Sequence, residues 1–243
     1  MKKNYFLLSL LLLFSFHFIK AQNFLTKYSS DQAISIAIGP GYLYGDAAAK
    51  NISLTNHTLT DFAPVNVGLS IDADYSRYFV PGLSFDVALL YSHFKGNEAD
   101  SHLSYRGYAF ESHMGELSGK IQFEPISFVE KERMLLDPYV LVGVGVVGAY
   151  VPSWKFAQGS GRPNGTDILK HHTLGFSAIG GIGLKFPIAP SLDGKLEFTF
   201  HSTSTDYLDG FHPKASKYND FFIISLIKIS YRLFQHQKFE GYD

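Results

Sequence analysis

The stretch from Val65 to Phe79, VNVGLSIDADYSRYF, alternates apolar and polar side chains almost without a break. Val67, Leu69, Ile71, Ala73 and Tyr75 fall on one side, and Asn66, Gly68, Ser70, Asp72 and Asp74 on the other. Successive side chains of an extended strand point to opposite faces, so this pattern demands a strand with two chemically opposed surfaces. A soluble sandwich would bury the apolar face and wet the polar one. A transmembrane barrel turns the apolar face to lipid and fills its lumen with the polar one.

The rest of the chain favours the barrel. Similar alternation recurs over residues 34–44, 83–94, 115–124, 139–150, 174–186, 195–205 and 221–233. The connectors over 45–64, 95–109, 151–172 and 206–219 are long and polar, whereas those between them are short. Long and short connections therefore alternate, as an up-and-down barrel with outer loops and periplasmic turns requires. A sandwich has no reason to sort its loops by parity. The expected fold is all-β: an eight-stranded antiparallel transmembrane β-barrel, up-and-down, over residues 34–234, with both termini periplasmic. Helical spacing is absent except for a single short turn at most over 129–136.

The N-terminal segment places two lysines before the apolar run Phe6–Ile19 and a small residue at Ala21. That is the layout of an export signal, expected to span 1–21 with cleavage near Ala21/Gln22. Residues 22–33 are then a periplasmic N-terminal segment, 235–243 a periplasmic tail, and the mature protein is expected in the outer membrane, in contact with its lipid. No later apolar run reaches the ~20 residues of a membrane helix. With no cysteine in the chain, disulfides and thiolate metal sites are excluded. A formal net charge of −1 without a Lys/Arg cluster gives no footprint for nucleic acid. Tyr42, Tyr44 and Tyr150 are expected as an aromatic girdle at the outer rim, and Tyr75, Phe123, Phe186 and Tyr231 at the inner.

Asp72, Asp74, Glu116, Lys120, Glu124, Lys195, Glu197, Lys228 and Arg232 all lie opposite the apolar stripe. A barrel of about eight strands is filled by side chains, so these residues are expected to form a paired charged network in a plugged lumen. Gly39, Gly41, Gly143, Gly145, Gly181 and Gly183, also inward, leave room for them. No catalytic, cofactor or metal residue is assigned. Gly143-Val-Gly145-Val-Val-Gly148 spells a dinucleotide fingerprint, but it lies inside a strand and opens no helix. His201 and Thr203 resemble the His-x-Ser pattern of outer-membrane lipid A deacylases, yet their parity is inward, away from lipid. His171-His172 lacks partners at ligand spacing. Asp206, Asp209 and Asp220 gather around one loop as a calcium candidate without the register of a known calcium motif.

Several pieces resemble, in order, the PorG-like family of small outer-membrane barrels associated with type IX secretion. They are Gly39-Pro-Gly-Tyr-Leu-Tyr-Gly45-Asp46, Arg106-Gly-Tyr-Ala-Phe110 leading to Glu116-Leu117, Asp137-Pro-Tyr-Val-Leu-Val-Gly-Val-Gly145, Gly181-Ile-Gly-Leu-Lys185 and Thr203-Ser-Thr-Asp-Tyr-Leu-Asp209. The resemblance implies a non-enzymatic barrel that serves as a structural or docking component and contacts periplasmic secretion-ring proteins. On that view the turn Glu130, Lys131, Glu132, Arg133, with apolar residues on both flanks, is the docking candidate. Two other classes fit the same sequence: a lipid-modifying enzyme of the outer membrane, and a small-solute or adhesion barrel acting through its outer loops.

Overall fold

In the computed structural model, residues 32–45, 66–97, 108–130, 135–155, 168–189, 191–212 and 219–233 are described. The expected signal, most of the N-terminal segment, the tail, and Lys131, Glu132 and Arg133 lie outside them. The strands are β1 Gln32–Tyr44, β2 Val67–Val80, β3 Leu83–Asn97, β4 Ala109–Phe123, β5 Asp137–Lys155, β6 Ile168–Leu169, β7 His172–Ala189, β8 Leu192–Thr203, β9 Phe211–His212 and β10 Phe221–Arg232. Among the described residues one helix, α1, spans Pro125–Glu130. Eight of the strands close in the order β1-β10-β8-β7-β5-β4-β3-β2, and β6 pairs with β9 in a separate two-stranded sheet. Every neighbouring pair in the barrel is antiparallel.

The ladder closes where β1 meets β10, from Ala33 opposite Arg232 to Tyr44 opposite Phe221. Both ends of the barrel chain therefore emerge at the short-turn end. Pairing along this seam is interrupted between Ile38–Ile227 and Gly41–Ile224. Pro40 lies in the gap, and a proline has no N–H to give to a ladder. Gly39 beside it lies so close to the Ser225 carbonyl that any Cβ would overlap the oxygen. The seam thus combines a close backbone approach with an interruption of its ladder.

The alternation resolves as the sequence requires. Ile36, Leu69, Leu117, Val144, Phe176 and Ile227 point outward and are exposed, whereas Ser35, Asp72, Asp74, Glu116, Lys120 and Lys228 point inward and are buried. A closed ladder leaves no open edge, and an apolar exterior around a charged interior inverts a soluble barrel. The molecule is a transmembrane β-barrel.

Two details depart from expectation. The helix lies at Pro125–Glu130, ahead of the short turn anticipated over 129–136. Proline suits a first helical position because its missing N–H needs no partner there. The Glu124 N–H donates to the Gly82 carbonyl at 2.7 Å and the Phe128 N–H to the Glu124 carbonyl at 3.0 Å, which staples α1 to the β2–β3 turn. Strand β4 also begins at Ala109 rather than at 115. Over these first residues the parity persists but its chemistry reverses: Phe110 and Met114 face inward and Glu111 and His113 outward. The outward face of β4 is therefore polar at its long-loop end.

Placing a charge on the outer face should separate lipid exposure from simple burial. Leu117→Arg is expected to destabilise the barrel by ~2–4 kcal/mol if Leu117 sits near the bilayer midplane, and Leu117→Phe to be close to neutral, in reversible urea unfolding from lipid vesicles. Gly39→Val is expected to abolish the compact, heat-modifiable gel species by blocking the closing seam.

Candidate functional site

Inward parity brings most of the predicted charges together in the half of the lumen nearest the short turns. Lys228 is the hub: its Nζ lies 2.5 Å from Asp74, 2.9 Å from Asp72 and 3.3 Å from Glu197. Lys120 reaches Glu197 at 3.6 Å and Asp72 at 4.0 Å. The Tyr139 hydroxyl donates to Glu197 at 2.9 Å. Lys195 donates to the Gln122 side-chain oxygen at 3.4 Å, and Gln122 in turn donates to Glu124 at 2.6 Å. Lys185 pairs with Glu124, and Arg232 meets Asp193 at 2.9 Å across the mouth. All nine predicted network residues face inward, and only Arg232 keeps a partly exposed head group. The expected room is visible where Lys120 packs over Gly143 and Tyr139 over Gly183.

The opposite half of the lumen is apolar, which the plug of charges anticipated from sequence did not include. Leu43, Leu90, Phe94, Phe110, Met114, Val147, Phe222, Ile224 and Leu226 pack there as one cluster. The segment after β8 folds back to close it, burying Leu208 and Phe211. Ser112 donates to the Leu208 carbonyl at 2.6 Å, Asp220 accepts the Leu208 N–H at 2.7 Å, and Asp209 accepts the Phe211 N–H at 2.9 Å. Gly210, with φ 79°, turns the chain under Trp154, where a side chain would be strained. The string Thr205-Asp-Tyr-Leu-Asp209 is thus the stopper of the barrel mouth.

This placement decides several sequence candidates. Asp209 and Asp220 hold backbone N–H groups, and Asp206 pairs with His212, so the loop aspartates serve the stopper. His201 is buried, stacked on Phe222, with Nδ1 3.2 Å from Glu116 and Nε2 2.9 Å from Thr199 Oγ1. Thr203 does not partner it; that hydroxyl donates to the carbonyls of Thr205 and Asp220. The hydroxyl–imidazole–carboxylate order of a triad is therefore present with Thr199, but both Thr199 and His201 are enclosed in the lumen. The Gly143–Gly148 string runs within β5, and among the described residues no helix follows it. His172 belongs to β7 and stacks on Tyr150 at 4.8 Å, while His171 lies over Trp154. Of the turn expected as a docking candidate, Glu130 ends α1. Its apolar flank is displayed: Phe128, Val129, Leu135 and Leu136 are all exposed.

Further carboxylates line the lumen beyond the nine expected residues. Asp86 accepts from Ser84 at 3.0 Å, Asp137 lies 3.7 Å from Lys185 and is bonded by Ser127, and Asp193 faces Arg232. Each sits at an inward parity position, and that was the signal available. A second omission is on the outer rim, where His93, Glu111 and His113 converge with ligand atoms within 4.8 Å of one another. They come from two strands, so no local spacing announced them.

Because Lys228 serves three carboxylates in a closed interior, Lys228→Met is expected to cost about 3–5 kcal/mol in urea unfolding, the penalty for leaving buried charge uncompensated. Adding Asp74→Asn to that variant should restore part of the loss.

Several solved proteins align with most of this chain at low sequence identity. Neisserial surface protein A (NspA) aligns over 84% of this chain and 99% of its own, with 10% identity and a TM-score of 0.49. Ail, the attachment invasion locus protein of Yersinia pestis, aligns over 84% and 99%, with 12% identity and a TM-score of 0.46. The outer membrane enzyme PagL aligns over 82% and 98%, with 14% identity and a TM-score of 0.36. A comparison with curated proteins finds no match. A family pattern, described as a domain of unknown function (DUF6089), matches residues 10–235. The chain belongs to the DUF6089 family, and its fold within that family is a closed eight-stranded barrel.

Proposed function

We propose that this protein is a non-enzymatic outer-membrane barrel that works as a docking component of a secretion apparatus, with its short-turn end in the periplasm. The observation that carries the reading is the filled lumen: paired charges occupy one half and an apolar cluster under a stopper the other. Among the described residues this filling buries His201 and packs the lumen with side chains, which favours a function at the rims. The short-turn rim offers the more distinctive surface. Val129 is 74% exposed and Leu135 76% exposed, beside the charged run Glu130–Arg133. Charges steer an encounter and apolar neighbours are buried by it. The resemblance to the PorG-like family adds the partner class, a periplasmic ring protein of type IX secretion.

Replacing Glu130–Arg133 by a Gly-Ser linker and Val129 and Leu135 by Asp is expected to leave barrel assembly intact. It should reduce both the partners recovered by crosslinking in intact cells and the secretion of cargo. Unchanged secretion with a normally assembled barrel would shift the working surface to the opposite rim. In a planar bilayer the purified protein should give no stable nanosiemens-scale channel, and His201→Ala should leave the lipid A mass spectrum unaltered.

A further inference from the structure

We propose that His93, Glu111 and His113 form a binding site for a divalent metal ion of the zinc class on the outer face of the barrel, at the long-loop rim. His93 and His113 are directly opposite each other in the β3–β4 ladder, and Glu111 follows on the same outward face of β4. The two imidazoles lie parallel, with ring centroids 4.5 Å apart and planes within 4°. His93 Nε2 is 2.6 Å from Glu111 Oε1. All three side chains are half-buried, open to solute but supported by the wall.

The donor set is what a borderline ion takes: two imidazole nitrogens and one carboxylate oxygen, leaving a position for water. Metal–ligand bonds of about 2.0–2.2 Å bring donors to roughly 3.5 Å from one another. The present separations, up to 4.8 Å, close to that by small side-chain rotations. The Tyr91 hydroxyl lies 2.8 Å from His113 Nδ1, which fixes the ring and leaves Nε2 as the ligand atom. A ligating histidine ordinarily engages its second nitrogen in this way. The register of β4 against β5 shifts between Glu111 and His113, a local irregularity of the kind that re-aims side chains. Lys95, 3.5 Å from Glu111 and largely exposed, is the competing cation and is free to swing into water as the ion enters. His172 extends the aromatic row through Tyr150 but stands outside the ligand set.

The test uses untagged mature protein in lipid nanodiscs, stripped with chelator and titrated with Zn(II) alone, with retained metal counted after dialysis. One equivalent is expected. Binding should weaken at least tenfold in His93→Gln and in His113→Gln, remain in His172→Gln, and weaken about tenfold in Tyr91→Phe, the usual lower end for losing a partner of a ligand. Heat-modifiable mobility on gels checks that each barrel has closed. Should a histidine variant fail to close, Glu111→Gln, which keeps the shape of a half-buried side chain, takes its place. Co(II) substitution should give visible absorption that the same variants lose. A wild-type protein that retains no zinc, or variants that bind it as the wild type does, would overturn the assignment.

Discussion

Backbone hydrogen bonding in a medium without water is the constraint on which the rest of this molecule depends. Each peptide group facing hydrocarbon must find a partner within the protein, and a sheet achieves this only by closing on itself. Here closure is made by β1 and β10, and it is made with little to spare. Gly39 lets the two strands approach, and Pro40 withholds a donor from the same place. Once the ladder is shut, every side chain has two destinations, lipid or lumen, and a strand's parity assigns them.

The lumen then inherits a problem of electrostatics. Eight strands enclose a volume that side chains must fill, and the inward positions carry lysines and carboxylates. Desolvating such groups is expensive unless they meet opposite charge at short range. Lys228 answers three carboxylates and Lys120 shares two of them, while Lys185 holds Glu124 in a second group, so each of these charges is met by opposite charge. Toward the long-loop end the demand is met differently, by aromatic and aliphatic packing beneath Leu208 and Phe211. One barrel therefore contains two kinds of filling, joined where Glu116, His201 and Thr199 hydrogen-bond to one another.

With its interior committed to stability, such a barrel presents chemistry at its two ends. At one end a short helix, α1, is held by the β2–β3 turn and exposes Phe128 and Val129. At the other, the long-loop ends of β3 and β4 turn His93, Glu111 and His113 outward beside Tyr91 and Tyr150. The walls between are uniform; the rims are individual.

Residues 67–75 and 115–124 disclosed their structure in the sequence because one face had to be apolar and the other polar, and nothing else in the chain could override that alternation. From it followed the strand number, the antiparallel order and the inward placement of Asp72, Lys120 and Lys228. The apolar half of the lumen was illegible for a physical reason. In Phe221–Ile229 both faces are largely hydrophobic; the parity of Lys228 puts Phe222, Ile224 and Leu226 inside but does not say what they pack against. Strand register settles that, placing Phe222 against His201 on one side and Leu43 on the other. The stopper at 205–212 and the His93–Glu111–His113 cluster depend likewise on contacts between segments far apart in the chain or on facing strands. The sequence by itself determined which faces meet lipid, since that is a local property of alternation. Only the tertiary structure decided which charges pair, what seals the mouth and which outward groups converge, because those follow from strand register and loop return.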